Sequence, residues 1–300
     1  MTARELPFVK MNGLGNDFVV FDAREEPARL SDTQIAAIGS RTSGIGFDQM
    51  IIVEASPMGV DAFMRIYNCD GGQVDACGNA TRCIGRLVME EKDTDRATIQ
   101  TNAGFLKAYA TGNEVRVTVD MGEPKLEWQD IPLAEEFRDT RVIELQIGPI
   151  DEPVLHSPAV VNMGNPHAIF FVDDIEAYDL ERFGPLLEHH PVFPERANVT
   201  LAQITGQNEI RAKVWERGVG LTRACGTAAC ATGVVAARKR LTGRHVTVTL
   251  PGGPLDIEWR ESDGHVMMTG DTELEFLGTL DLDSLNGGKP EWRRETQGAA

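Results

Sequence analysis

The 300-residue sequence has no apolar run of the roughly 18 residues that a membrane helix needs, and its first residues, MTARELPFVK, lack the apolar segment of a secretory signal. A cytoplasmic location is therefore expected. Cysteine is sparse and odd in number, five in all, which excludes a dense disulfide scaffold and leaves at least one thiol unpaired. Basic charge is also in deficit: 29 Lys and Arg face 46 Asp and Glu, for a net charge of −17. A nucleic acid or an anionic membrane surface, both of which need a basic footprint, is not an expected partner. Aromatic residues make up only 6%, yet 42% hydrophobic content suffices for a real core, and the length favours two domains of ordinary size over one large one.

The familiar cofactor signatures are missing too. GLGNDF lacks the third glycine of a dinucleotide fingerprint, and no G-x-x-x-x-G-K-[ST] occurs. There is no H-E-x-x-H and no G-x-S-x-G. No C-x-x-C pair exists, and the spacings Cys77 to Cys83 and Cys225 to Cys230 do not suit a zinc site. The expectation is a chain with no cofactor and no metal.

What is present is short apolar runs bounded by Gly, Asn, Pro or Asp, such as QMIIVEA, DAFMRIYN, EVRVTVDMG, HAIFFVDD, EIRAKVWERG and HVTVTLPGG. These predict hairpin-rich sheet. Helical periodicity predicts three helices: SDTQIAAIGSRT with Ser31 as N-cap, GNATRCIGRLVMEEK after Cys77, and GTAACATGVVAARKRL after Cys225. The last two end in basic residues, as helix C-termini prefer. From about Ser284 the polar, Gly-containing tail reads as disordered, 284–300.

The organising feature is a repeat. DACGNATRCIG and RACGTAACATG place Cys77 and Cys225 148 residues apart. At that offset Arg65-Ile66-Tyr67 lies over Lys213-Val214-Trp215 and Gly72 over Gly220; one residue further, Gly15-Asn16 lies over Gly164-Asn165 and Gln49 over Asn198. Two similar halves related by a pseudo-twofold axis are expected, 1–122 carrying Cys77 and 123–272 carrying Cys225.

In each half a strand leads through a Gly-containing loop to Ala-Cys-Gly, where a helix begins. A helix N-terminus offers unsatisfied N–H donors and partial positive charge, so it holds a carboxylate and favours a thiolate. Two such sulfurs approaching one carbon from opposite faces could invert a stereocentre, one as base and one as acid. Donors at both helix termini would stabilise the enolate-like charge on the substrate carboxylate. Cys69, Cys83 and Cys230 read instead as small buried hydrophobes.

These residues resemble the diaminopimelate epimerases, within the cofactor-independent, two-cysteine amino-acid racemases. The likeness rests on MNGLGNDFVVFD, GIGFDQ, the pattern N-x-D-G-G-x-x-x-x-C-G-N-A-x-R from Asn68 to Arg82, NMGNPHA, RANV and WERGVGLTRACGT. Gly72 and Ala80 depart from the usual Ser and Gly by small substitutions. The resemblance implies that Cys77 and Cys225 are the acid and base, and that Gly78, Asn79, Gly226 and Thr227 hold the reacting carboxylate. It implies that Asn16, Asn68, Asn165, Asn198 and Arg217 bind the distal head group, with Gln49 lining the same pocket and Glu216 near the ammonium. His167 and Glu216 are implied to tune the cysteines.

It also implies an α+β fold in which each half is a curved, mostly antiparallel sheet around a central helix, with the site between halves. The last strands, about 273–283, would complete the N-terminal half, and the chain would form a homodimer. The activity so implied interconverts LL- and meso-diaminopimelate by thiol and thiolate, in lysine and cell-wall precursor biosynthesis. A planar Arg fork suits a distal carboxylate, which proline lacks. A proline or hydroxyproline racemase, or a non-catalytic amino-acid-binding protein, are the alternatives.

Overall fold

The computed structural model describes residues 5–75 and 77–295. Two compact units divide the chain, the first comprising Met1–Val119 and Asp271–Ala300, the second Asp120–Gly270.

The first unit opens with a hairpin of β1 (Glu5–Gly13) and β2 (Asn16–Asp22), closed by the two-residue turn Leu14-Gly15, both at positive φ. That geometry matches the twist of the flanking strands and seats Asn16 at the first position of β2. A crossover containing α1 (Asp32–Gly39) returns the chain to β3 (Gln49–Glu54), parallel to β2. Ser31 caps α1 in a full capping box with Gln34. β4 (Ala62–Asn68) runs antiparallel to β3 and puts Asn68 opposite Gln49. The short β5 (Gln73–Val74) and then α2 (Gly78–Lys92) lead to β6 (Arg96–Thr101), parallel to β4, after which β7 (Gly104–Ala110) folds back on β6 and β8 (Arg116–Asp120) ends the segment.

The second unit begins with a small ladder of β9 (Gln146–Ile147) and β10 (Leu155–His156). It then repeats the order of the first. β11 (Ala159–Asn162) and β12 (Pro166–Phe171) form a hairpin, and a crossover through α3 (Leu180–Glu188) leads to β13 (Asn198–Gly206), parallel to β12. β14 (Glu209–Glu216) is antiparallel to β13. The short β15 (Gly220–Thr222) and α4 (Gly226–Arg238) precede β16 (His245–Leu250), parallel to β14, followed by the antiparallel β17 (Gly253–Trp259) and β18 (Val266–Asp271). The repeat read from the sequence is therefore a repeat of connections: hairpin, helical crossover, antiparallel strand, short strand, cysteine, helix, parallel return.

α2 packs on β1, β4, β6 and β7, while α4 packs on β11, β12, β13, β16 and β17. Its run of small residues, Ala228 to Ala236, is almost wholly buried, which lets strands approach it on several sides. Each unit is thus a mostly antiparallel sheet around a central helix, the fold class expected.

The chain ends in the first unit, where β19 (Glu273–Asp281) pairs with β1 and β20 (Glu291–Arg294) pairs with β19. The stretch from Ser284 was expected to be disordered. Instead Asp283–Gly287 forms a 3₁₀ turn and Trp292 of β20 stacks on Phe276 at 5.9 Å, with its edge toward Phe8. One aromatic residue in a polar segment anchors it. Residues 296–300 of that expected tail lie outside the described residues.

Candidate active site

In the first unit, Cys77 is the N-cap of α2 with extended backbone (φ −149°, ψ 112°), and Gly78 and Asn79 supply the first helical amides. Its side chain makes no capping hydrogen bond to the helix. Its Sγ lies 3.8 Å from Asn16 Oδ1. Asn16 in turn donates from Nδ2 to Asp48 Oδ2 at 3.2 Å, which fixes the amide so that its oxygen faces the thiol. Asp48 also accepts from the Asp17 backbone N–H and from Arg41. Behind it, Lys10 donates to Asp17 and to the Gly46 carbonyl, and Arg41 forks onto Asp17. Burial alone would raise the Asp17 carboxyl, but hydrogen bonds from Arg41 and Lys10 hold it well below the usual carboxylate range. Gln49 Nε2 donates to Asn68 Oδ1 at 3.2 Å, joining two more of the expected residues.

In the second unit, Cys225 caps α4 with nearly the same backbone (φ −136°, ψ 106°), followed by Gly226 and Thr227. Its Sγ is 3.5 Å from Thr227 Oγ1. Glu216, the last residue of β14, accepts from Thr222 Oγ1 at 2.6 Å. Burial raises the Glu216 carboxyl, while hydrogen bonds from Thr222 and Cys225 oppose the rise. Asn198 holds the loop after β14, its Oδ1 accepting from the Arg217 N–H at 2.9 Å and its Nδ2 donating to the Pro166 carbonyl. Arg217 Nη1 donates to the Glu195 carbonyl. His167 is fully buried on β12, with Nε2 2.7 Å from Asn165 Oδ1. Burial, then the positive charge of Arg217, pull its pKa down to about 3, so the ring is neutral at physiological pH.

One expectation is corrected at Cys225. A helix N-terminus was expected to favour its thiolate, yet the thiol is pushed well above its usual value of 9.0. Burial dominates, since the residue is 5% exposed, and the Glu216 charge adds to it; the Thr227 hydroxyl and Ala228 N–H pull the other way without offsetting them. Among the remaining cysteines, Cys83 and Cys230 are fully buried, as expected, but Cys69 is exposed because it sits in the turn after β4.

Some buried polar side-chain atoms have no hydrogen-bond partner among the described residues. They include Gln49 Oε1, Asn79 Oδ1 and His167 Nδ1, all three on residues singled out from the sequence. An unsatisfied buried group costs about 1–3 kcal/mol, which a polar ligand can recover. The two amide oxygens are acceptors and suit an ammonium. No group of three or more His, Cys, Asp or Glu among the described residues could hold a metal ion. No helix among them is long and apolar enough to cross a membrane.

The sequence reading did not find Lys10, Asp17, Arg41 and Asp48, nor Thr222 and Glu188, which hold the expected residues in place. Asp17 and Asp48 stand inside MNGLGNDFVVFD and GIGFDQ, and Thr222 inside WERGVGLTRACGT, but the motifs alone do not say what these side chains hold.

Known proteins resemble the chain throughout. The family described as diaminopimelate epimerase matches residues 8–127 and 159–275. A diaminopimelate epimerase of Afipia carboxidovorans is 58% identical over 277 residues, covering 92% of this chain and 95% of the relative. One from Rhodopseudomonas palustris is 56% identical, covering 91% and 93%. Among solved structures, a hydroxyproline epimerase from Agrobacterium vitis with bound trans-4-hydroxy-L-proline has a TM-score of 0.65 at 15% identity, covering 95% of each chain. A phenazine biosynthesis protein of the PhzF family from Enterococcus faecalis also scores 0.65 at 15% identity, covering 92% of this chain and 98% of that one. At such identities the two structures speak for the fold alone. With the family match spanning both cysteine-capped helices, the chain belongs to the diaminopimelate epimerase family.

Proposed function

We propose that the chain interconverts LL- and meso-2,6-diaminopimelate without pyridoxal phosphate, metal or nicotinamide, serving lysine and cell-wall precursor biosynthesis. The observation that carries this is the pair of cysteines capping topologically equivalent helices with matching backbone geometry, in a chain of this family.

Cys77 and Cys225 act on one α-carbon from opposite faces. One sulfur, as thiolate, takes the α-proton; the C–H electron pair moves onto the carboxylate; the other thiol delivers its proton to the opposite face, and the two sulfurs have exchanged roles. Burial and Glu216 favour the protonated form of Cys225, the form in which it delivers a proton. The amides of Gly78, Asn79, Gly226 and Thr227 steady the carboxylate as charge builds on it. Gln49 Oε1 and Asn79 Oδ1 are acceptors for ammonium groups, and Arg217, Asn16, Asn68, Asn165 and Asn198 bind the distal head group. Glu216 sits near that ammonium, and neutral His167 sets the polarity around the thiols. The two units are the two domains of a duplicated ancestor, and the enzyme is a cytoplasmic homodimer.

The test is to incubate the reduced protein separately with LL-diaminopimelate and L-proline and to follow stereochemistry by chiral chromatography. Conversion of diaminopimelate toward the meso form, with proline untouched, is expected. Racemisation of proline with diaminopimelate ignored would overturn the substrate, and binding without turnover of either would leave a binding protein.

A further inference from the structure

The end of β14 carries Glu216, followed by Arg217, and the position of this pair is set from outside the strand. α3 lies against β14, and Gly184 makes the approach possible: a Cβ there would stand 2.4 Å from Trp215 Cδ2. At the end of α3, Glu188 is 3% exposed. Its Oε2 accepts from Trp215 Nε1 at 2.8 Å and its Oε1 from the Gly218 N–H at 2.9 Å. Arg196 Nη1 lies 3.8 Å from Oε1, but its side chain is half exposed and far for a close ion pair. A carboxylate at a helix C-terminus is disfavoured by the carbonyl dipoles, and burial removes its hydration. Neither helix stability nor packing accounts for a charge at this position.

Only a carboxylate can accept on both oxygens. Glu188 brackets Glu216 and Arg217, holding the residue before the pair by its indole and the residue after it by its backbone. Asn198 fixes the Arg217 amide between these two points.

We propose that Glu188 is a positioning residue that holds the Glu216-Arg217 segment in the geometry required for the distal head group of the substrate. The proposal rests on the reading of Arg217 as a substrate contact.

E188Q tests it almost isosterically, because the amide N–H₂ must oppose one of the two donors. Losing a charge-assisted contact is worth roughly a 10- to 100-fold effect. The KM for diaminopimelate should rise at least about tenfold while kcat stays within about threefold, since the head-group contact serves ground and transition states alike. Exchange of the Gly218 amide hydrogen, followed in the same protein without substrate, should speed up by about tenfold or more. Wild-type KM and Gly218 exchange in folded E188Q would overturn the proposal. Faster Gly218 exchange with wild-type KM would also overturn it, since the segment would then not serve the substrate. If the wild-type protein does not turn over diaminopimelate, the functional reading falls, and the exchange experiment still decides whether Glu188 holds the segment. Should E188Q fail to fold, W215F removes one donor and keeps the ring; a smaller KM rise of about threefold is expected, and an unchanged KM would overturn the proposal.

Discussion

Cys225 illustrates how two local effects compete at one atom. Helix-terminal amides favour its thiolate, while burial and Glu216 oppose it, and the opposition wins. Neutralising the carboxylate removes the Glu216 charge and leaves burial, the largest of the raising causes. E216Q should therefore lower the Cys225 pKa, read as the difference in ultraviolet thiolate absorbance between E216Q and E216Q/C225A across pH. An unchanged or higher midpoint would contradict the assignment. Asp48 acts at one remove, orienting the Asn16 amide toward Cys77. It is 41% exposed, so its hydrogen bond is modest, and D48A should cost about 3- to 10-fold in kcat/KM with little change in folding; activity equal to wild type would show that Asn16 needs no such support. Both cysteines and the amide-bearing residues were legible because the repeat and the family motifs mark them. Asp17 and Asp48 fall inside those motifs, but their roles, and Glu188 altogether, were not legible, because nothing in a sequence distinguishes a solvated carboxylate from a clamped one until burial is known.

Between the elements, close approach rather than propensity decides. Gly85 of α2 and Gly233 of α4 stand at the same repeat offset of 148, both within the undecapeptides that announce the duplication. A Cβ on Gly85 would meet Ala108 Cβ of β7 at 2.4 Å, and one on Gly233 would meet Ile257 Cγ2 of β17 at 2.9 Å. G85A and G233A should each destabilise by about 1–3 kcal/mol, by overpacking, in denaturant titrations; neutral substitutions would mean that the sheets yield. The helices α1, α2 and α4 could be read in advance from Ser31 and from the two Cys-Gly starts. α3 could not, since Gly184 and Pro185 interrupt its pattern, although Asp179 caps it. Strands β13 and β7 were missed for a different reason: NVTLAQITG and GFLKAYA mix polar residues into short runs without clear punctuation.

For the molecule as a whole, stability depends on pH through groups whose titration burial suppresses. Burial pushes the Cys83 thiol to about 12. Above the usual thiol value of 9.0 the unfolded chain loses that proton while the folded chain keeps it, so stability falls as pH rises, by at most about 1.4 kcal/mol per pH unit per thiol. C83A should therefore lose its disadvantage relative to wild type between about pH 8 and pH 10. A constant gap would contradict the shift. His167 works at the other end: its folded value of about 3 means that the unfolded chain takes up a proton first as pH falls below about 6.5, and stability is lost across that window.

The duplication of one connection order, with a cysteine at the start of each central helix, is the basis for the two-base account. Its most direct test follows deuterium entering the α-carbon of diaminopimelate in deuterated water, for wild type, C77A and C225A under reducing conditions. The account predicts ready exchange in the wild type and loss of roughly 10³-fold or more of epimerisation-linked exchange in each variant, since each removes one essential partner. Undiminished exchange in either variant would contradict it.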